Sequence, residues 1–366
     1  IGSDNADWFR PDQVNDLSGP NYSVGGDDYM DGKEGVDGVS YYANHAAVAG
    51  GTFTGISANL STGVVIDELG NTDTVINIEN LEGSRYNDII VGNDVDNVLK
   101  GRGGDDRLTA GSGNDWIQAG DGDDIIHLVS TGVWSAQYSA QNVDTNLSYG
   151  TGEKVSIGGM LKYNHVLDGG LNNDILYLQD GNDAFFLDDM FSGFNAASLE
   201  AGQVGVGRIA SIEELRAGDG DDIIDLTSLV YGLVDNTSIY GEGGNDHLWA
   251  ADGNDNIYGG HGNDSINGGA GNDVLSGGAG ADKFQFTATS GADQIVDFQV
   301  SEGDELHFYY RASSVSDVND LSMAGGVLTW ATGDTGSFVT VDMSNTIVVD
   351  DVPTDLQAAI VFHEIV

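Results

Sequence analysis

The chain has 366 residues, 55 of them Gly and only 3 Pro, with no Cys and a formal charge of −47 from 59 acidic and 12 basic side chains. That composition excludes collagen-like or proline-rich structure, disulfide and thiolate chemistry, and, on charge, nucleic acid or anionic membrane surfaces as partners. Only about a dozen of the acids are Glu; the rest are Asp, whose short side chain suits tight turns and cation binding.

No apolar run approaches the roughly 20 residues of a membrane-crossing helix. The opening Ile1-Gly2-Ser3-Asp4, with neither Met nor a signal peptide, is expected of a mature, trimmed or excised piece. In residues 1–82, GSDNADWFR sets Asp7 two positions before Phe9, and Asp28 and Asp37 stand likewise before Met30 and Val39. Residues 39–81 alternate apolar and polar side chains between Gly, Asn and Asp turns, which reads as a run of β-strands ending in the lead-in phrase INIENLEGS.

Residues 83–128 carry a nine-residue beat. Its apolar positions are Ile90, Leu99, Leu108, Ile117 and Ile126; two residues before them stand Asp88, Asp106, Asp115 and Asp124, with Asn97 in the remaining slot. Residues 129–240 are irregular. Between Val129 and His165 the beat is lost, and Trp134, Tyr138, Tyr149 and Tyr163 among Ser, Asn and Gly read as an inserted loop or β-excursion. Shorter copies follow at Asp174 and Asp183 (with Leu176 and Phe185) and at Asp222 (with Ile224). Residues 188–199 read as a short helix or a loop, and residues 209–215, IASIEEL, repeat the lead-in phrase as the same unit used twice.

In residues 241–286 the beat returns: Leu248, Ile257, Ile266, Leu275 and Phe284, preceded by Asp246, Asp255, Asp264, Asp273 and Asp282. Residues 287–366 read as a C-terminal cap, in which Asp293 and Asp297 complete a last ion site, VLTW, SFVTVD and NTIVVD form strands, and DLQAAIVFHEIV is a short amphipathic end.

The repeated phrase resembles the repeats-in-toxin (RTX) family of calcium-binding nonapeptides, G-G-x-G-x-D-x-U-x with U a large apolar residue. The two arrays cover roughly a quarter of the chain and the scattered copies extend the likeness over most of it. The resemblance implies an all-β fold: a parallel β-roll or β-helix solenoid built from the repeats, with a β-rich C-terminal cap and several bound Ca2+ ions. In that reading, positions one to six form a turn that aims carbonyls and the sixth-position carboxylate at an ion, and positions seven to nine form a strand with U inward. Two repeats make one coil. Asp246, Asp264 and Asp282 are then expected on one edge, opposite Asp255 and Asp273; Asp88, Asp106 and Asp124 share an edge opposite Asn97 and Asp115. The turn glycines expected to shape the sites are Gly101, Gly103, Gly241, Gly243, Gly259, Gly260, Gly262, Gly268, Gly269, Gly271, Gly277 and Gly278. Calcium, with six to eight oxygen ligands, suits carbonyl-plus-Asp turns better than magnesium does. One buried apolar residue per strand is worth ~1.5–3 kcal/mol, against on the order of 9–18 kcal/mol to order nine residues, so ion binding and folding are expected to be one event.

Catalytic motifs are lacking in the sequence: there is no H-E-x-x-H, no G-x-S-x-G, no P-loop and no Cys nucleophile. Carboxylate pairs carry no weight in so Asp-rich a chain. A non-enzymatic role is therefore expected. The leading reading is a calcium-dependent structural module of a secreted or cell-surface bacterial protein of adhesin or surface-layer type, exported by type I secretion, as the family resemblance implies. Its partners would be calcium ions, and cell-surface polysaccharide or copies of itself. The alternatives are a secretion and folding appendage of a larger secreted enzyme, and a carbohydrate-binding module displaying Trp134, Trp249 and Tyr258 in a row.

Overall fold

A computed structural model describes residues 6–11, 26–42, 53–129, 133–142, 147–158, 165–187, 209–227, 233, 236–287, 290–311, 321–324, 327–332, 337–342 and 354–365. Residues 188–199, Tyr163 and the NTIVVD stretch at 345–350, singled out above, lie outside them. Contacts group the chain into two units: Ile1–Val129 with Tyr163–Tyr177 and Arg208–Ile212, and Ser130–Lys162 with Leu178–Gly207 and Glu213–Val366.

Short strands alternate with glycine turns because each nonapeptide supplies a short extended stretch, three residues as in Ile89–Val91 or six as in Val98–Gly103, before the next rung. In unit 1 one sheet runs Trp8–Phe9, Gly38–Ser40, Asn80–Glu82, Val98–Gly103, Trp116–Asp121, Val166–Leu171 and Ile209–Ala210, every neighbour parallel. The other stacks Ser57–Asn59, Ile89–Val91, Arg107–Thr109, Ile125–His127 and Ile175–Tyr177 in parallel. It begins with a meander in which Ser57–Asn59, Val64–Ile66 and Thr72–Ile76 pair antiparallel. Register partners within the first array, such as Leu108 with Ile90 and Ile117 with Leu99, are 18 residues apart, so one coil is two nonapeptides.

Unit 2 repeats the arrangement. One parallel sheet runs Ala184–Phe186, Ile223–Asp225, His247–Trp249, Ser265–Asn267, Lys283–Phe286, Glu305–Arg311 and Ile360–Ile365. The other runs Glu214–Arg216, Ser238–Gly243, Asn256–His261, Val274–Ala279 and Ala292–Ile295, and continues into the antiparallel strands Ser337–Asp342, Val327–Thr332 and Leu321–Ala324. The C-terminal phrase is not one amphipathic end. Thr354–Ala359 is a helical turn, and Ile360–Ile365 joins the sheet beside Glu305–Arg311. The stretch after Val129 contains an antiparallel hairpin, Val133–Asn142 with Leu147–Gly158, whose register shifts between Gln137 and Ser139.

Side chains on a strand alternate between faces, and here the middle residue of each strand points inward. Val39, Leu81, Leu99, Ile117 and Leu167 face Ile90, Leu108, Ile126 and Leu176 across unit 1, all essentially fully buried. In unit 2, Phe185, Ile224, Leu248, Ile266, Phe284 and Leu306 stand with Leu215, Ile239, Ile257, Leu275 and Ile295, all at 0% exposure. The lead-in phrase and its second copy share one backbone feature: Asn77 and Ser211 both take φ 52°, each followed by a buried Ile.

Candidate metal sites

Each strand is entered through the sixth residue of its turn, and these residues stack into ladders along the coil edges. In unit 2 the Asp246 N–H donates to Asp264 Oδ1 at 2.9 Å, and the Asp264 N–H to Asp282 Oδ1 at 2.9 Å. Asp183 and Asp222 continue this edge below, at 2.6 and 2.8 Å, and Asp304 above, at 3.1 Å. On the other edge Thr237, Asp255, Asp273 and Asp293 are linked the same way at 2.7, 2.9 and 3.0 Å. Unit 1 has Asp88, Asp106, Asp124 and Asp174 on one edge at 2.8, 2.7 and 2.9 Å. Its opposite edge carries Asp7, Asp37, Glu79, Asn97, Asp115 and His165. Alternate repeats thus share an edge.

One carboxylate oxygen per rung is used by the neighbouring N–H. The second oxygen of Asp37, Asp106, Asp124, Asp222, Asp246, Asp255, Asp264 and Asp282 is buried without a hydrogen-bond partner among the described residues. Where the first turn residue is glycine, the oxygen lies beside it, at several rungs together with a backbone carbonyl; on the Asp124, Asp222 and Asp255 rungs that position is Ala119, Ala217 and Ala250. A Cβ on Gly101 would lie 2.1 Å from Asp106 Oδ2 and 2.5 Å from the Ala119 carbonyl oxygen. On Gly241 the values are 2.4 Å to Asp246 Oδ2 and 2.5 Å to the Gly259 oxygen; on Gly259, 2.3 Å to Asp264 Oδ2 and 2.6 Å to the Gly277 oxygen. Gly268 and Gly277 face Asp273 and Asp282 in the same way, at 2.1 Å each. Gly103 and Gly243, by contrast, have no such close carboxylate oxygen of the following Asp. Gly260, Gly262, Gly269, Gly271 and Gly278 hold left-handed backbone, where a Cβ would strike the preceding coil; at Gly262 it would lie 1.6 Å from the Gly244 oxygen.

Burial is the main cause of what happens to these carboxyls. Desolvation pushes Asp246 up to about 9 and Asp106 to about 8, with neighbouring carboxylates adding to the rise. Asp222, Asp255, Asp264 and Asp273 are raised to about 7, and Asp88, Asp124 and Asp282 to about 6. A buried anion with an unpaired oxygen is costly unless a cation offsets it. No three His, Cys, Asp or Glu side chains converge on one point among the described residues, so backbone carbonyls must complete any ligand set. Oxygen-only, carbonyl-rich sites suit a hard cation such as calcium.

Not every expected ligand has this form. Asp88 accepts from the Ile56 N–H and from the N–H and hydroxyl of Ser84, which uses both its oxygens. Asn97 donates its amide to the Glu79 carbonyl and to Asn93 Oδ1, both at 2.9 Å, supplying N–H groups where other rungs leave an oxygen unpaired. Asp28 donates its N–H to Asp73, whose other oxygen accepts from the Tyr41 hydroxyl. Asp293 and Asp297 take different hydrogen-bond partners. Asp293 stays in the ladder above Asp273, while Asp297 accepts from the Gly277 and Gly278 N–H groups and the Ser276 hydroxyl. Asp304 takes the last rung beside Asp282. Asp73, Glu79, His165, Thr237 and Asp304 are ladder positions that depart from the nonapeptide motif. Each stands two residues before a buried apolar side chain, a signal that survives without the glycines. Trp249 is buried, so the row with Trp134 and Tyr258 does not form an exposed strip.

Residues 77–102, 100–128, 164–189, 231–266 and 251–284 match the family model described as RTX calcium-binding nonapeptide repeat (4 copies). The chain therefore carries RTX calcium-binding nonapeptide repeats, which bind calcium ions, and its all-β coils are those of a β-roll. No curated protein matches it. Among solved structures, the extracellular lipase LipA from Serratia marcescens is 20% identical over 77% of this chain and 39% of the lipase, with a TM-score of 0.21. The AlgE6R3 subunit of the Azotobacter vinelandii mannuronan C5-epimerase is 24% identical over 36% of this chain and 77% of that one, with a TM-score of 0.17. The chain thus spans well under half the length of the lipase.

Proposed function

We propose that the chain is a calcium-dependent structural β-roll module of a secreted or cell-surface bacterial protein, of adhesin or surface-layer type, that folds outside the cell on binding calcium. The observation that carries this is the series of buried, unpaired Asp oxygens that converge with carbonyls at the turn glycines, as at Gly101, Gly241 and Gly259. Without cations the two units bury anions beside one another on thin cores; with them, each rung gains the counter-charge that its burial demands. Hydrogen-bonded ladder positions recur in both units, from Asp7 in unit 1 to Asp304 in unit 2, which supports a structural role. The role is structural. Export by type I secretion fits a chain that stays unfolded in calcium-poor cytosol and folds outside, where calcium is plentiful.

Circular dichroism tests this. In excess chelator at neutral pH the chain is expected to lack most of its β-signal, and to gain it as calcium rises through roughly 10⁻⁴–10⁻³ M, the range of extracellular modules. A fully folded chain in chelator overturns the coupling of folding to calcium. Folding at submicromolar calcium overturns the link to export.

A further inference from the structure

We infer that the outer face of unit 1 carries a groove that binds an acidic saccharide, a sugar unit bearing a carboxylate. The groove measures about 450 Å³ and is lined by Lys100, Arg102, Gln118, Asp121, Asp168 and Ser211 over a floor that includes Gly120 and Gly170. Its volume falls in the range of small-ligand sites, roughly 300–1,000 Å³. The floor is open for a structural reason. A Cβ on Gly170 would lie 2.0 Å from the Gly120 oxygen, and one on Gly120 2.4 Å from the Arg102 oxygen, so neither position accepts a side chain.

Across this floor Lys100, Gln118 and Asp168 stand in one register row on the adjacent strands Val98–Gly103, Trp116–Asp121 and Val166–Leu171. Neighbouring strands are ~4.8 Å apart, so the row sets a cation, an amide and a carboxylate at even intervals. Among the described residues, none of these three side chains is taken up by a hydrogen bond or an ion pair; the Lys100 ammonium rests 5.8 Å from the Trp116 ring. Arg102, beside it, is already engaged by Glu82 and lies 5.1 Å from the Tyr42 ring.

The row has a direction, and that fixes the chemistry of the occupant. Lys100 and Arg102, two of only 12 basic residues in a chain of charge −47, form one wall. Elsewhere the molecule's field repels anions; here a carboxylate meets an ammonium that makes no hydrogen bond or ion pair among the described residues. At the far end Asp168 accepts and Gln118 both donates and accepts, which suits hydroxyl groups. The basic wall disfavours a metal ion, and with a neutral sugar Lys100 has as its nearest counter-charge only Glu82, its register neighbour, which Arg102 already engages. The site needs the folded roll and so rests on the calcium-dependent reading above.

The test uses the full chain at saturating calcium, titrated with digalacturonate and, as its neutral counterpart, galactobiose, followed by calorimetry or NMR shifts. Digalacturonate is expected to bind at least tenfold more tightly than galactobiose, and Lys100→Ala to weaken it at least tenfold with the calcium-induced dichroism unchanged. Equal binding of the two sugars, no binding by the folded chain, or an unaltered affinity in a folded Lys100→Ala overturns the groove. The dichroism of the same samples separates the two readings: a chain that fails to fold with calcium sinks the module, and a folded chain that ignores the acidic sugar sinks only the groove.

Discussion

At the scale of single residues, a ladder position matters through its second oxygen. Asp264 gives one oxygen to the Asp246 N–H and leaves the other unpaired beside Gly259, whereas Asn97 answers the neighbouring carbonyl with its own amide. Asp264→Ala is therefore expected to shift the calcium midpoint of folding upward by at least tenfold. Asn97→Ala, which loses hydrogen bonds worth about 1–3 kcal/mol in a buried site, should lower stability with little change in that midpoint. Equal midpoint shifts in titrations followed by dichroism would argue against the edge assignment. Gly259→Ala isolates the cradle itself. Gly259 is not in the left-handed region, so the added methyl acts by entering the space between Asp264 Oδ2 and the Gly277 oxygen. It should weaken calcium binding at least tenfold, about 1.4 kcal/mol, while Gly26→Ala, with nothing within 4 Å, stays within about 0.5 kcal/mol of the parent. A Gly259→Ala chain that binds calcium normally would show that the cradle is not where the ion sits.

At the scale of elements, the nine-residue beat made both arrays and their inward residues legible, because a buried apolar side chain and a glycine turn recur at fixed spacing. Ile90 through Ile126 and Leu248 through Phe284 are the core, as their spacing implied. The ladder positions outside the arrays were harder to read. His165 opens the strand Val166–Leu171 and its Nδ1 lies 3.2 Å from Asp115 Oδ2, so an imidazole stands where the motif has a carboxylate. Nothing in G-G-x-G-x-D announces that substitution, and the 50 residues between Asp115 and His165 hide the register. The same holds for Asp304, 22 residues beyond Asp282: loops inserted between coils change the spacing but leave the hydrogen-bonded rung intact. Asp297 is the converse case. It lies in an Asp-rich phrase close to a ladder, yet its partners are the N–H groups of Gly277 and Gly278. Motif spacing reports local turns, whereas membership of an edge is decided by which strand pairs with which.

At the scale of the whole molecule, the charge of −47 and the raised carboxyls set a direction for pH. Nine ladder Asp residues have folded-state values of about 6 to about 9 when no cation is present, all from the ordinary 3.8 and all chiefly through burial. Between about pH 4 and those values the folded, metal-free chain binds more protons than the unfolded one, so stability falls as pH rises. The protonated fold keeps its full contribution below about pH 4 and loses it in steps through about 6, 7, 8 and 9. In chelator the β-signal is therefore expected to be larger at pH 5 than at pH 8. Calcium should reverse the order, because its ligands must be ionised and protons compete with it. Monovalent salt is not expected to substitute: at 0.5 M it screens exposed charges but acts weakly on buried ones. Dichroism at the two pH values, with chelator, with calcium and with 0.5 M KCl, separates these outcomes. Equal β-content at pH 5 and pH 8 in chelator would mean that the ladder carboxyls are not what holds the metal-free chain open, and full recovery in KCl would assign that role to surface repulsion instead.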